Sequence, residues 1–505
     1  MYYKYLISLT FLFSFSTFVF CQIANPLKST FQKDAKELIE YAMAEIGSVP
    51  GIAISVVKQG ETIYEGGFGH ADLGKQLKMD EHSSFYIASC TKAFTALLAG
   101  LLDQEGVISL NASLSDFFPN ISFDPNIKAQ EVTIKSLLTH TAGISNDPIG
   151  FRVAYSGDHT QEQLVSLLVH TQPNRVGKGN YSYTNLGYNI YAIIVQEVTG
   201  KSWQALLEEK VFKPLGMKHT TAYVSKATQE GWPMALPYLG LKKGEIEPVY
   251  LLKKDNTMQS AGGLITTAAD LSRWMKMQIQ LGQLEGKQVF PKSIVKAAQS
   301  AQVACEEKRG DFEAAGYGYG WLVGQLQGEK AVWHSGGFPG YLSLMSFLPA
   351  QEMGVSVLIN DGIAGFPLMY LLASFSYDCL LEKENVLADY KKKVDELASM
   401  VHKRQEQRMA ELAERAKREW QLSHSFAHYS GTYENDAYGT ITIKGDSEKM
   451  EVSMGNMHCV ATPFTKENTV RVELVPGSGE VLAFQIEGDK VVGLTNGGDL
   501  FKKIK

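Results

Sequence analysis

Ser89-Cys90-Thr91-Lys92 places a hydroxyl and an amine three positions apart, directly before the apolar run Ala93-Phe94-Thr95-Ala96-Leu97-Leu98-Ala99. On a helix, residues i and i+3 share a face, so Ser89 and Lys92 can meet. A run apolar on all sides predicts a buried helix. Burial lowers a lysine's pKa, and a neutral amine beside a serine can take the hydroxyl proton and make the oxygen a nucleophile. A chain of this composition should carry on the order of two S-x-x-K matches by chance. Two others occur, at Ser55/Lys58 and Ser293/Lys296. The first lies in an alternating, β-branched stretch, where i and i+3 point to opposite faces. The second follows Pro291 and reads as the start of an ordinary surface helix. Cys90 is the other candidate nucleophile, but one helical step turns it about a quarter-turn from the Ser89–Lys92 face.

Three more stretches carry groups such a pair could use. Tyr183-Thr184-Asn185 precedes an apolar helical run; a phenol beside an ammonium is expected to have a lowered pKa and to act as general base. An Asn offers both a donor and an acceptor to an amide-like substrate. Tyr433-Glu434-Asn435 repeats the spacing, without companions. His334-Ser335-Gly336-Gly337 follows the strand-like Ala331-Val332-Trp333. Its small residues let a substrate lie along a strand edge, and the amides of Gly337 and Ser89 are the candidate oxyanion donors. The plain alternatives are a Gly-Gly turn and a solvated loop histidine. Leu137-Leu138-Thr139-His140-Thr141-Ala142-Gly143 reads by itself as a helix end with a glycine cap.

These groups need a frame. Strand patterns at 51–57 and 62–69, a largely helical middle, and strand patterns at 319–325, 331–333, 341–347 and 354–359 predict an α+β domain over residues 22–380. It is read as one antiparallel sheet covered by helices. Residues 381–424 are rich in Lys, Glu, Arg and Ala, with Leu387, Tyr390, Val394, Leu397 and Val401 at helical spacing, which predicts a helical connector of one or two helices docked on a neighbour. From 425 to 505 the period changes to two, between Gly-rich turns, and predicts a small all-β barrel-like domain.

The chain has 505 residues, 45% apolar, with a net charge of -6. Such a mild charge speaks against a nucleic-acid partner or a polybasic membrane patch. Residues 1–21 read as a signal peptide, with Lys4 in the n-region, an apolar stretch to Phe20, and cleavage near Cys21/Gln22. That predicts a periplasmic or secreted protein with no stable membrane span once mature. Phe20 is too large for the residue before a lipidated cysteine, which argues against a lipoprotein. The remaining cysteines, Cys90, Cys305, Cys379 and Cys459, show no metal-ligand spacing and no disulfide framework.

In their order along the chain, the four stretches resemble the serine β-lactamase/penicillin-binding-protein superfamily, and more closely its class-C-like branch of esterases, D-aminopeptidases and D-Ala-D-Ala carboxypeptidases. Gly316-Tyr317-Gly318-Tyr319-Gly320-Trp321, Ser260-Ala261-Gly262-Gly263-Leu264 and Pro214-Leu215-Gly216-Met217 add to the likeness, which covers roughly residues 31–360. The tail is similar to the lipocalin-like domain appended to some members. The resemblance implies an acyl-enzyme at Ser89, with Lys92 and Tyr183 sharing the proton, Asn185 orienting Lys92 and the substrate amide, and the Ser89 and Gly337 amides holding the oxyanion. No cofactor or metal is called for, and the partner is a small molecule or short peptide. His334 stands where β-lactamases and true D,D-carboxypeptidases carry lysine. That implies a peptide, including those with D-residues, or an ester as substrate. A true β-lactamase, and a binding protein that uses the barrel without turnover, are the alternatives.

Overall fold

The computed structural model describes residues 26–505; the expected signal peptide at 1–21 lies outside them. Strands β1 (Gly51–Lys58), β2 (Glu61–Asp72) and β3 (Leu77–Lys78) join β4 (Val303–Arg309), β5 (Phe312–Tyr317), β6 (Leu322–Leu326), β7 (Glu329–Phe338), β8 (Tyr341–Leu348) and β9 (Met353–Ile359). They form a nine-stranded sheet in the order β4-β5-β6-β7-β8-β9-β1-β2-β3. Every neighbouring pair is antiparallel.

The sheet is covered on both faces, which explains why β1 is apolar along its length. Ile52, Ile54 and Val56 face one core with helices α1 (Pro26–Ile46) and, from the far end of the domain, residues of Gly365–Leu380. Ala53 and Val57 face the other core with helix α2 (Thr91–Gln104), helix α3 (Leu186–Thr199) and helix α4 (Ala268–Ile279). The decoy Ser55/Lys58 is divided as strand geometry requires: Ser55 shares a 2.7 Å hydrogen bond with Ser356, while Lys58 donates to the Leu380 carbonyl at 2.8 Å.

Helix α5 (Gly365–Leu380) precedes the connector, which is a single helix, α6 (Val386–Ala416). Its Tyr390, Val394, Leu397 and Val401 stripe packs into the α1 core, and Tyr41 donates to Asp395 at 2.5 Å. Beyond it, β10 (Gly431–Asn435), β11 (Gly439–Gly445), β12 (Met450–Met454), β13 (Met457–Val460), β14 (Thr462–Pro463), β15 (Thr469–Val475), β16 (Ser478–Glu487), β17 (Lys490–Asn496) and β18 (Asp499–Lys503) make a second sheet. It curls into a nearly closed barrel in the order β13-β12-β11-β10-β18-β17-β16-β15-β14, with β13 returning against β15. Alternating residues, among them Tyr433, Ile441, Val452, Val472, Leu482, Phe484 and Leu494, fill its interior, and the Tyr429 and Phe484 rings lie 4.6 Å apart.

The barrel rests on loops of the first domain. Val249 and Leu251 sit in its core cluster, with Phe151, Tyr155 and Phe338 against the cluster's edge. Buried Arg152 donates to the carbonyls of Ala437 at 2.7 Å and Asp436 at 3.3 Å in the β10–β11 hairpin.

Candidate active site

Ser89 sits in a single 3-10 turn, Ala88–Cys90, that leads into α2. Ala88 has φ +45°, a left-handed conformation rare outside glycine, and so the turn carries local strain just before the serine. One turn later, Lys92 is wholly buried. Its Nζ lies 3.2 Å from Ser89 Oγ, 2.7 Å from Asn185 Oδ1 and 2.8 Å from the Ala261 carbonyl. Burial pulls its pKa down to about 7. A neutral amine has two N–H groups and one lone pair. Asn185 Oδ1 and the Ala261 carbonyl can only accept, so they take the two N–H groups and leave the lone pair for the Ser89 O–H.

Asn185 caps α3, and Tyr183 lies just ahead in an irregular segment. The Lys92 Nζ is 4.8 Å from the Tyr183 ring centre. The expectation of a lowered Tyr183 pKa is corrected: burial raises it, and the hydrogen bond with Ser89 opposes that only in part. The lysine does not lower it because Lys92 is itself held near neutrality. Some 44% of the Tyr183 surface still meets solvent in the cleft, so the rise is smaller than full burial would give. The phenol is therefore a neutral O–H, fit to relay or donate a proton.

His334 belongs to β7 and is buried, not on a solvated loop. Its Nδ1 lies 2.7 Å from the Ser335 carbonyl, which can only accept, so Nδ1 carries the hydrogen; Nε2, 3.3 Å from the Tyr317 hydroxyl, accepts. Burial, reinforced by Lys92, lowers its pKa to about 3, so it is uncharged at neutral pH. Gly336 and Gly337 continue the strand instead of turning. The β6–β7 pairing ends at Leu322↔Trp333, whereas β7–β8 pairing runs on to Phe338↔Tyr341, so residues 334–338 offer one free edge. A side chain at Gly336 would run into the Ile87 carbonyl and lie 2.9 Å from the Ser89 amide, so only glycine lets β7 come this close to the serine. A Cβ at Gly320, whose φ is +75°, would fall 2.6 Å from the Lys92 carbonyl, so glycine there does the same service for α2.

Cys90 faces away. Its thiol donates to the His334 carbonyl at 3.2 Å and accepts from Ser343 Oγ at 3.2 Å, and burial raises its pKa to about 12. Ser293 and Lys296 lie on a separate short helix, and Tyr433 and Asn435 lie in β10. The site thus gathers Ser89, Lys92, Tyr183, Asn185, His334, Gly336 and Gly337 in one place. Two further groups lie in stretches that carry the resemblance but were not expected as site residues: the Ala261 carbonyl, a backbone atom, and His140, whose ring lies 4.6 Å from that of Tyr183. No cluster of His, Cys, Asp or Glu among the described residues could hold a metal ion, and no helix among them is long and apolar enough to cross a membrane.

The Beta-lactamase family profile matches residues 35–367. Protein flp of Staphylococcus aureus (strain MW2) is 27% identical over 330 residues, which is 65% of this chain and 63% of the relative, so the chain spans under two thirds of that relative. Penicillin-binding protein 4 of Amycolatopsis lactamdurans is 28% identical over 321 residues, 63% of this chain and 82% of the relative. Among solved structures, the octameric penicillin-binding protein homologue from Pyrococcus abyssi is similar with a TM-score of 0.59 at 22% identity, covering 94% of this chain and 100% of that one. The D-amino acid amidase from Ochrobactrum anthropi SV3 gives 0.57 at 20% identity, covering 70% and 99%. At these identities the structural likeness is one of fold.

Proposed function

This chain belongs to the Beta-lactamase family, and from that premise we propose that it is a serine hydrolase that works through an acyl-enzyme at Ser89. The observation that carries the reading is the hydrogen-bond set of Lys92, whose two carbonyl acceptors leave a lone pair for the serine O–H. In the first step Ser89 Oγ attacks a carbonyl carbon while its proton passes to Lys92 Nζ. The amides of Ser89 and Gly337 receive the developing oxyanion at the free edge of β7. The leaving group takes a proton through the neutral Tyr183 hydroxyl, which Lys92 replenishes. Water then attacks the ester, and the same groups return Ser89 to its hydroxyl form.

The substrate is a small peptide, including those with D-residues, or an ester. Neutral His334 supports this, because the position offers no cation for a substrate carboxylate, which argues against efficient β-lactam turnover. The structural neighbour named as a D-amino acid amidase supports the part of this reading that concerns amides of D-residues. The filled barrel supports a role in shaping the cleft rim in place of carrying a ligand. The apolar leader supports export to the periplasm or beyond.

An active-site serine probe followed by intact-mass measurement should add one adduct to the wild type and none to Ser89→Ala. Equal labelling of both overturns the assignment. A panel of p-nitrophenyl esters, D- and L-aminoacyl anilides, a D-Ala-D-Ala peptide and nitrocefin then ranks the substrates; nitrocefin at the head of that ranking would make the protein a β-lactamase.

A further inference from the structure

The stretch Leu137–Gly143 has no part in the chemistry above, yet it lies against it. After the short helix Ile134–Leu138, His140 takes φ +59°, a left-handed backbone that few non-glycine residues adopt. That conformation turns two acceptors of one residue toward one segment. The His140 carbonyl accepts from the Ser182 amide at 2.9 Å, and His140 Nδ1 accepts from the Thr184 amide at 3.3 Å. Those amides flank Tyr183 on both sides. Residues 181–184 belong to no helix or strand, so no regular ladder holds the phenol in place.

The imidazole is nearly fully buried, at 2% exposure, among Tyr181, Tyr183, Tyr188 and Tyr317. Since an amide can only donate, Nδ1 supplies its lone pair and the ring hydrogen sits on Nε2, which is buried with no acceptor. An orphaned buried N–H costs about 1–3 kcal/mol. An apolar side chain would fill the site without that cost, so the ring is not there for packing alone. Tyr188 ties the arrangement down by donating to the Leu138 carbonyl at 3.0 Å, and Gly187 lets α3 lie on the Leu137 carbonyl.

We propose that His140 is a positioning residue that brackets Tyr183 through the amides on either side and so sets the phenol's place beside Ser89 and Lys92. This deepens the acyl-enzyme reading and rests on it. Two variants compatible with the left-handed backbone separate its parts: His140→Gly removes the ring acceptor, and His140→Asn restores an acceptor oxygen. Acylation by a p-nitrophenyl ester is followed as a burst, normalised to sites titrated by the serine probe, with melting temperature measured alongside. His140→Gly should acylate about 100-fold more slowly per titrated site with KM changed little, as expected when a reacting group is misplaced by about 1 Å. His140→Asn should recover most of that loss, whatever the two melting temperatures.

Wild-type rates per site in His140→Gly, or equal losses in Gly and Asn, overturn the proposal. A crystal structure of His140→Gly decides it independently of activity: a displaced Tyr183 ring supports the bracket, and an unmoved ring overturns it. If the wild type fails to label at Ser89, the reaction assigned above falls, and the ring position still judges His140.

Discussion

The acylation rate should follow the titration of one buried lysine. Burial sets Lys92 near pKa 7 and the amine is the base, so the rate rises with pH through that value and then levels. With a pKa of about 7, the neutral fraction is ~9% at pH 6 and ~91% at pH 8, a tenfold increase followed by a plateau. A lysine of ordinary pKa, about 10.4, would give a hundredfold rise over the same interval and no plateau until far higher pH. The faces of Tyr183 and Tyr188, 4.8 and 5.5 Å from Nζ, favour the ammonium and can move the midpoint up by a fraction of a unit. The raised Tyr183 pKa keeps the phenol protonated, so no alkaline limb should appear below about pH 10. Stopped-flow bursts with a p-nitrophenyl ester between pH 5.5 and 9.5, extrapolated to zero buffer, give the profile. A rate independent of pH from 6 to 8, or one still climbing in proportion to hydroxide at pH 9, refutes the assignment of Lys92 as the poised base.

Further outcomes follow from neighbouring residues. Gly336→Ala should slow acylation about 100-fold, because the methyl meets the Ile87 carbonyl and the Ser89 amide, whereas Gly337→Ala, facing only Leu342 at 3.2 Å, should cost less than about tenfold; equal effects in the same burst assay would count against the close approach of β7. Cys90→Ser should take up the serine probe as the wild type does, since its thiol is held protonated and turned away; loss of labelling would shift suspicion to the cysteine. Lys253, buried against Phe338 at 4.0 Å, is also lowered to about 7 by burial, so its charging penalty is complete below pH 7 and is relieved as pH rises toward the unfolded value. In urea unfolding, the wild type should therefore gain up to about 1.5 kcal/mol on Lys253→Met between pH 7 and 8.5, less whatever the Phe338 face returns to the ammonium, and a constant difference would show that the site does not titrate there. Arg152→Met, which deletes the bonds to Ala437 and Asp436, should speed hydrogen exchange at the β10–β11 hairpin while leaving the main sheet protected; an unchanged hairpin would remove Arg152 from the docking.

The reacting pair was legible because its geometry is local. Three positions on one helical turn fix how Ser89 meets Lys92, whatever surrounds them. The strand at β1 and the change to period two after residue 425 were legible for the same reason, although β1, read as an alternating strand, proved to be buried on both faces. Strands β4 and β5 escaped the pattern reading. The first is the sheet's edge, where Glu306, Glu307, Lys308 and Arg309 supply charge instead of alternation, a common way of blunting an edge. The strand expected from 319 begins at Leu322, because Gly318 and Gly320 are spent on close approach to neighbouring backbone. Tyr183 and Asn185 were found through resemblance, since nothing local tells a phenol on an irregular segment that it will face a lysine some ninety residues earlier. The direction of the Tyr183 shift and the burial of His334 depend on how helices from distant parts of the chain close over the site. The left-handed turn at His140 is a backbone property that its side chain does not announce.

The pairing of β1 with β9 has a consequence for how the molecule is made. Ile52 pairs with Ile359, so the first strand of the sheet waits for roughly 300 further residues before its inner neighbour exists. At ordinary rates of synthesis that delay is about 15–60 s. During it, a β-branched segment, Ile52 to Val57, has β2 on one edge and an open edge on the other, the arrangement that invites self-association. The nucleophile is on the ribosome early, but the strand that supplies Gly337, Glu329–Phe338, follows only after the long helical middle of the chain. Activity therefore requires a chain that extends through β7: a truncation ending before it can hold Ser89 and Lys92 side by side and still have no place to put an oxyanion.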